Sequence, residues 1–597
     1  MPPSRRRRVV PILLAVASLA ACSAGSSPTP NASSTTAAGR QGATVSASSA
    51  APSAELPGID QAPSGPRYPL TQEAGIVDGI DWRMPDWVRP AENSGFFSES
   101  ASAPDGVLVR AIDQSWRQLQ PAQGGATIYT ETGSAQQMSF ESLDQALAEP
   151  GDYWMRIFAS GVDWAPEWIP QVCHVEGFAP DYDGMSHLPI WDDCVWKHLL
   201  AMYHDVFVTK GLRADPRLRF VWVLGAFTWA EYDSETINDA IATGKLTKEQ
   251  YLQWFSHAWS DLVEIFGPYK AKLAFTGEDY TWSEGLGDEV ATLAKQATDA
   301  EIGIRNGIPE LFNFHLNEAP AYGSHIQPGG HLIVDESLPI HDGKRIVAVE
   351  NECFTDCGFD AGDDLEYAVT QTNLKSLQLR ANWVYVIPTQ SKMEQFPQLW
   401  DWVRLSVGHT AQTSPDAWAN LREAEDVYWR DNDLPPFDGT AEWTNKPWVR
   451  NLERWVVQKD VTGATAHTTD VDVHADVFTE ENGQAREGLA TAVARGDTKL
   501  AFDVDDRFLD ATDPDSKVEI KVTFWDAGGP FRVVGSAYES DVVKPGGTTR
   551  WRTATVTMPV TALAGDQPGQ TDLAVVADED SDVIVRFLRI VRLAPPR

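Results

Sequence analysis

Between residues 105 and 430 the chain alternates short, unbroken apolar runs with longer segments of helical periodicity, and this alternation limits the fold most. Residues 220–224 are one such run, continuous and partly β-branched, as in a strand buried on both faces of a parallel sheet. Similar runs cover 107–112, 153–158, 272–275, 302–304, 345–350 and 383–387. Between them lie helical segments at 143–147, 191–208, 247–266, 286–296, 365–379 and 398–407. In 247–266, Tyr251, Trp254, Phe255, Trp259 and Leu262 recur at helical spacing. Repeated βα units over this length predict a parallel sheet closed into a (β/α)8 TIM barrel, which needs eight strands. Seven runs are clear. The eighth falls within 75–104, or alternatively at 331–334 inside a long loop region.

The pattern changes after about residue 440. Residues 518–524 alternate with period two, and 551–556, 572–576 and 583–587 read as further strands separated by Gly and Pro turns. This predicts an antiparallel β-sandwich of the jelly-roll kind at 440–597, following a barrel at 67–435. Residues 432–438 form the expected linker, and 443–457 cover the junction.

The N-terminus reads as targeting sequence. Arg5–Arg8 precede an apolar stretch, 9–19, too short for a typical membrane span. Leu19-Ala20-Ala21-Cys22 follows and resembles a bacterial lipobox, which implies acylation at Cys22 after removal of the signal, and residence at the extracellular face of the cell membrane. Residues 23–66 are rich in Ser, Ala, Thr, Pro and Gly and read as a disordered tether. The remaining cysteines are Cys173, Cys194, Cys353 and Cys357. In an exported chain an even number suggests disulfides, and proximity favours Cys173–Cys194 and Cys353–Cys357, although four cysteines permit three pairings. A zinc site is the rival; the spacings lack a paired CxxC pattern.

Charge narrows the function. A formal net charge of -37 argues against a nucleic-acid partner. The chain has 12 His with no His-x-His or HExxH cluster, which disfavours a metal-dependent hydrolase. No phosphate-cradling Gly-rich loop follows a strand, and no cofactor is expected. The 23 Trp suit core filling or stacking on sugar faces. Acidic turns at 503–506 and 578–582 read as solvated turns or as a structural Ca²⁺ site.

Two segments carry a resemblance. Residues 115–124 contain Trp116-x-x-Leu119-x-Pro121-x-x-Gly124, and 163–168 read Asp-Trp-Ala-Pro-Glu-Trp. They resemble the segments after the second and third strands of clan A glycoside hydrolases, the β-galactosidase-like barrels among them. The resemblance spans roughly 105–390. It implies an acid/base after strand four and a nucleophile ending strand seven. If the run at 107 is strand two, those places hold Glu231 and Glu350. Ala230 stands where the family has Asn before the acid.

The chemistry assigns the same roles. Glycoside hydrolysis uses two carboxyl groups, one protonating the leaving oxygen and one attacking the anomeric carbon. Glu352 lies on the same side of an extended strand as Glu350 and is the alternative nucleophile. Glu278 becomes the acid if the strand count shifts by one. Arg156, Arg305 and His315 are expected to orient carboxylates or bind hydroxyls, or else to serve the core. Trp116, Trp164 and Trp229 are candidate sugar platforms or core residues. Asp113 ends the run at 107 and faces the mouth or the wall. The expected protein is a retaining glycosidase with a carbohydrate substrate and a lipid anchor; a non-catalytic glycan-capturing lipoprotein is the competing class. Sugar identity, linkage and oligomeric state stay open.

Overall fold

The structure is a computed structural model. It describes residues 75–596 except 100–107, 136–137, 179, 181–183, 224–234, 277–295, 307–321, 328–329, 352–364, 423–439, 442–445, 448–449, 470, 472, 476–483, 487, 510, 537, 566–568 and 579. Cys22, Trp229, Glu231, Glu278, His315, Glu352, Cys353 and Cys357 therefore lie outside the described residues, as do the signal, the tether and most of the helix expected at 286–296.

Eight parallel strands close into a barrel in chain order: Gly95–Ser98, Leu108–Ser115, Tyr153–Phe158, Leu218–Val223, Leu273–Thr276, Gly303–Asn306, Val347–Glu350 and Trp383–Tyr385. The eighth pairs back onto the first, Trp383 opposite Gly95. The missing strand is thus the one before residue 107. His331–Val334 instead forms an antiparallel hairpin with Ser324–Gln327. With the first strand placed, Leu218–Val223 is strand four and Val347–Glu350 is strand seven, so the condition that would make Glu278 the acid is not met.

The strands read as continuous apolar runs because both of their faces are covered. Met155, Ile157, Val221, Val223, Phe275, Val347 and Val349 point outward to the helices. Phe97, Val109, Trp154, Phe220, Trp222, Ala274, Ala348, Trp383 and Tyr385 fill the interior. Lys248–Phe266 is the long helix before strand five. Thr247 and Gln250 close its first turn with a reciprocal capping box, which satisfies two otherwise orphaned N–H groups. A disulfide joins Cys173, ending the short helix Trp168–Cys173, to Cys194 in the first turn of Asp193–His204.

Among the described residues the C-terminal region holds two large antiparallel sheets, besides the two-stranded pairs Thr440–Ala441/Lys446–Pro447 and Val473–Ala475/Gln484–Arg486. One runs in the order Val77–Asp78, Trp551–Pro559, Lys517–Trp525, Ile584–Arg592, Asp416–Asn420, Leu452–Arg454. The other runs Val456–Lys459, Lys499–Val504, Leu573–Ala577, Phe531–Gly535, Tyr538–Glu539. Their facing residues, Val518, Ile520, Val522, Leu588 and Ile590 against Leu500, Phe502, Val533, Leu573 and Val575, form one core. Asp416–Asn420 and Val77–Asp78 lie outside 440–597 and still join this sheet.

The outer face of the larger sheet packs on the barrel. Phe587 stacks on Trp418 at 5.9 Å, Trp418 meets Trp402 at 6.1 Å, and Trp82 meets Trp402 at 4.6 Å. Asp416 receives Arg589 Nε at 2.5 Å and Trp402 Nε1 at 2.8 Å. Lys521 Nζ of the sandwich donates to Asp81 at 2.6 Å while Trp82 packs on Trp402 of the barrel's last helix, so the segment after Val77–Asp78 is held by both units.

Candidate active site

A parallel barrel presents the C-terminal ends of all its strands at one mouth, where barrel enzymes keep their chemistry. Alternation along each strand decides which side chains reach it. Asp113, Arg156 and Trp222 are register partners on strands two, three and four. Arg305 on strand six neighbours Ala348 on strand seven, and Glu350 is opposite Tyr385 on strand eight. Glu99 follows the last residue of strand one.

Two arginines organise these groups. Arg156 is 1% exposed. Its Nε and Nη2 donate to the two oxygens of Asp113 at 2.8 and 2.9 Å, and Nη1 donates to Glu99 Oε1. Burial pulls the pKa of this guanidinium down, but the carboxylates of Asp113 and Glu99 outweigh it and raise the pKa well above its usual value. Arg305, also buried, makes an ion pair through Nη2 with Glu350 Oε1. Both guanidinia lie over one ring: Arg156 Cζ is 5.6 Å and Arg305 Cζ 5.0 Å from the centroid of Trp222. The two ion-pair groups are therefore neighbours across a shared indole.

The end of strand seven is fixed from behind. Asn351 is fully buried; its Nδ2 donates to Asn373 Oδ1 at 2.8 Å, and its Oδ1 accepts from Thr372 Oγ1 at 3.1 Å. Its N–H donates to Tyr385 O at 2.9 Å, and its carbonyl accepts from Ser391 Oγ at 2.8 Å. A carboxylate on a strand clamped this way has little freedom to move, which a nucleophile requires.

The other expected residues divide clearly. Arg156, Arg305, Glu350 and Asp113 reach the mouth. Trp116 and Trp164 do not. Trp116 is fully buried, with its Nε1 donating to Gln120 Oε1 at 3.0 Å and its ring 6.5 Å from Trp168. Trp164 is 1% exposed, 4.6 Å from Phe158, and packed with Met185 and Phe140. As placed, neither offers a face to a sugar. Their segments brace one another: Arg117 donates to Ala165 O at 2.9 Å and to Val162 O at 2.7 Å, joining the loops after strands two and three. Cys173 and Cys194 are consumed by their disulfide, so the thiolates a zinc ion would need are not present there, although His198 stands beside them.

Glu99 and Trp222 are the mouth residues that sequence reasoning missed. Glu99 was hidden because strand one was not located. Trp222 sits in an unbroken apolar run that carries no signal of which face looks inward.

No family model matches the chain, and no curated protein matches it. Among solved structures it is similar to a cycloisomaltooligosaccharide glucanotransferase from Paenibacillus sp., determined with cycloisomaltoheptaose bound. Identity is 9% and the TM-score 0.22; the match covers 83% of this chain and 57% of that one. What bears on function is the barrel mouth itself.

Proposed function

We propose that the protein is a retaining glycoside hydrolase acting on an extracellular glycan, held at the outer face of the membrane through lipidated Cys22. One observation carries this reading: Glu350 ends strand seven at the mouth of a closed eight-stranded barrel, paired with Arg305. Glu350 attacks the anomeric carbon and forms a glycosyl ester as the leaving oxygen departs. Glu231, in the segment that follows strand four, protonates that oxygen and then, as a base, activates the water that hydrolyses the ester. The double displacement needs the two carboxyl groups about 5–5.5 Å apart. Trp229, Glu278 and His315 belong to the segments following strands four, five and six and are assigned to the substrate walls.

Aryl glycosides separate the roles. Glu231→Gln lowers kcat on a poor leaving group by about 10²–10⁴-fold, and a leaving group that needs no protonation restores the first step. Glu350→Gln abolishes turnover on both, with the melting temperature kept. A mechanism-based 2-fluoro glycoside labels Glu350, read by peptide mass spectrometry. A label on Glu352 reassigns the nucleophile, near wild-type turnover of both variants refutes the Glu231–Glu350 pair, and glycan binding by the wild type without any turnover removes the hydrolase reading in favour of a glycan-binding lipoprotein. Detergent-phase partitioning that is unchanged in Cys22→Ala removes the anchor.

A further inference from the structure

The mouth holds groups that the two-carboxylate chemistry does not use. Glu99 and Asp113 are immobilised by Arg156, yet their side chains keep 23% and 21% of their exposure. Arg156 takes one oxygen of Glu99 and one lone pair from each oxygen of Asp113. Glu99 Oε2 has no protein partner among the described residues, and a carboxylate has about four acceptor sites in all. Under the same mouth, Trp222 is 2% exposed and its indole N–H has no hydrogen-bond partner among the described residues. A buried unpaired donor costs about 1–3 kcal/mol unless a ligand or water meets it. Arg156 joins these features, bonding both carboxylates while its Cζ lies 5.6 Å from the Trp222 ring centroid.

We propose that Glu99, Asp113 and Trp222 form a recognition subsite for a neutral sugar, the carboxylates accepting from adjacent hydroxyls and the indole N–H donating to a third oxygen. Ordered acceptors and a donor around one floor fit a polyol, whose hydroxyls serve as both. Charge sets the class. Among the described mouth residues Glu99, Asp113 and Glu350 outnumber Arg156 and Arg305, so a uronic acid or sulfated sugar would meet a net negative charge there. Arg156 is a positioning residue, since its donors already hold the two acids.

This assignment rests on the hydrolase reading for the identity of the ligand, and the experiment separates the two. The probes are 4-nitrophenyl glycosides of neutral hexoses and the matched glucuronide, with binding followed by saturation-transfer NMR and turnover by released nitrophenol. The wild type is expected to bind the neutral glycosides and exclude the glucuronide. Glu99→Gln raises KM for the neutral sugar about ten-fold and shifts the glucuronide-to-neutral ratio upward by a similar factor, because the repelling charge is gone. Trp222→Phe keeps the ring and removes the N–H; it raises KM without changing that ratio. A merely structural role for Glu99 would leave the ratio unmoved. Neutral-selective binding that responds to both variants, without cleavage, overturns the hydrolase and leaves the subsite. Cleavage with KM and charge selectivity unchanged in both variants overturns the subsite alone. Equal binding of neutral and anionic glycosides by the wild type, or binding of neither, overturns it as well.

Discussion

Arg156 shows how much one side chain can decide. It is the sole described cation within ion-pair reach of both Glu99 and Asp113, and it lies 5.1 Å over the rings of Trp154 and Phe158. Removing one partner of a buried ion pair costs about 3–5 kcal/mol, because the other charge stays behind. Both carboxylates retain some solvent, so Arg156→Met is expected to cost about 3 kcal/mol, read as a lower urea midpoint. Arg156→Lys should restore little of it, since a single ammonium cannot reproduce the forked contact with Asp113. Residue identity at this site was partly legible. Arg156, Arg305 and Glu350 are charges interrupting apolar strands, and a charge inside a buried strand needs a reason. Trp116 and Trp164 could not be sorted that way, because an indole suits a core and a sugar platform equally well until neighbouring segments fold over it.

At the level of elements, strands announced themselves wherever both faces are buried, which is why 153–158 and 345–350 stood out. The first strand, Gly95–Ser98, has only two large apolar residues between Gly and Ser, and its boundary had to come from barrel closure. Strand register was not legible at all, since it arises from contacts between strands. Gly303 illustrates the point. A Cβ there would collide with the side chain and backbone carbonyl of Ile346, the residue that leads into the adjoining strand. Strands six and seven can therefore come together at this point only over a hydrogen atom. Gly303→Ala is expected to cost about 1–3 kcal/mol, the range for forced overpacking, and to loosen the neighbouring Arg305–Glu350 pair. A thermal melt together with kcat checks both effects; unchanged values would mean the strands can part without loss.

At the scale of the whole molecule, the joint between barrel and sandwich contributes to the response to pH. His409 lies half-buried after the helix Pro397–Ser406, its Nε2 donating to Arg89 O at 3.1 Å and its Nδ1 accepting from Thr413 Oγ1 at 3.2 Å. Burial and the nearby Arg454 guanidinium lower its pKa to about 4, against weaker opposing help from Arg89 O and Asp416. The fold thus prefers the neutral ring. Its stabilisation is complete above the unfolded value near 6.5 and is lost as pH falls toward and through 4. The loss is about 1 kcal/mol at pH 5 for a group with this solvent access, and His409→Gln should narrow the drop in melting temperature between pH 7 and pH 5. His331 works with the opposite sign. Burial lowers its pKa, but Glu453, 2.9 Å away on the sandwich strand Leu452–Arg454, raises it overall. That contact is at full strength in acid and fades as pH climbs through the raised value.

The sandwich also takes strands from both flanks of the barrel, Val77–Asp78 from before it and Asp416–Asn420 from after it. Any cut that frees the barrel would tear a ribbon out of the partner sheet and leave Trp82, Trp402 and Trp418 facing water. Such fragments would aggregate rather than work alone. In gene shuffling or protein engineering, the pair is the smallest piece that can be moved intact.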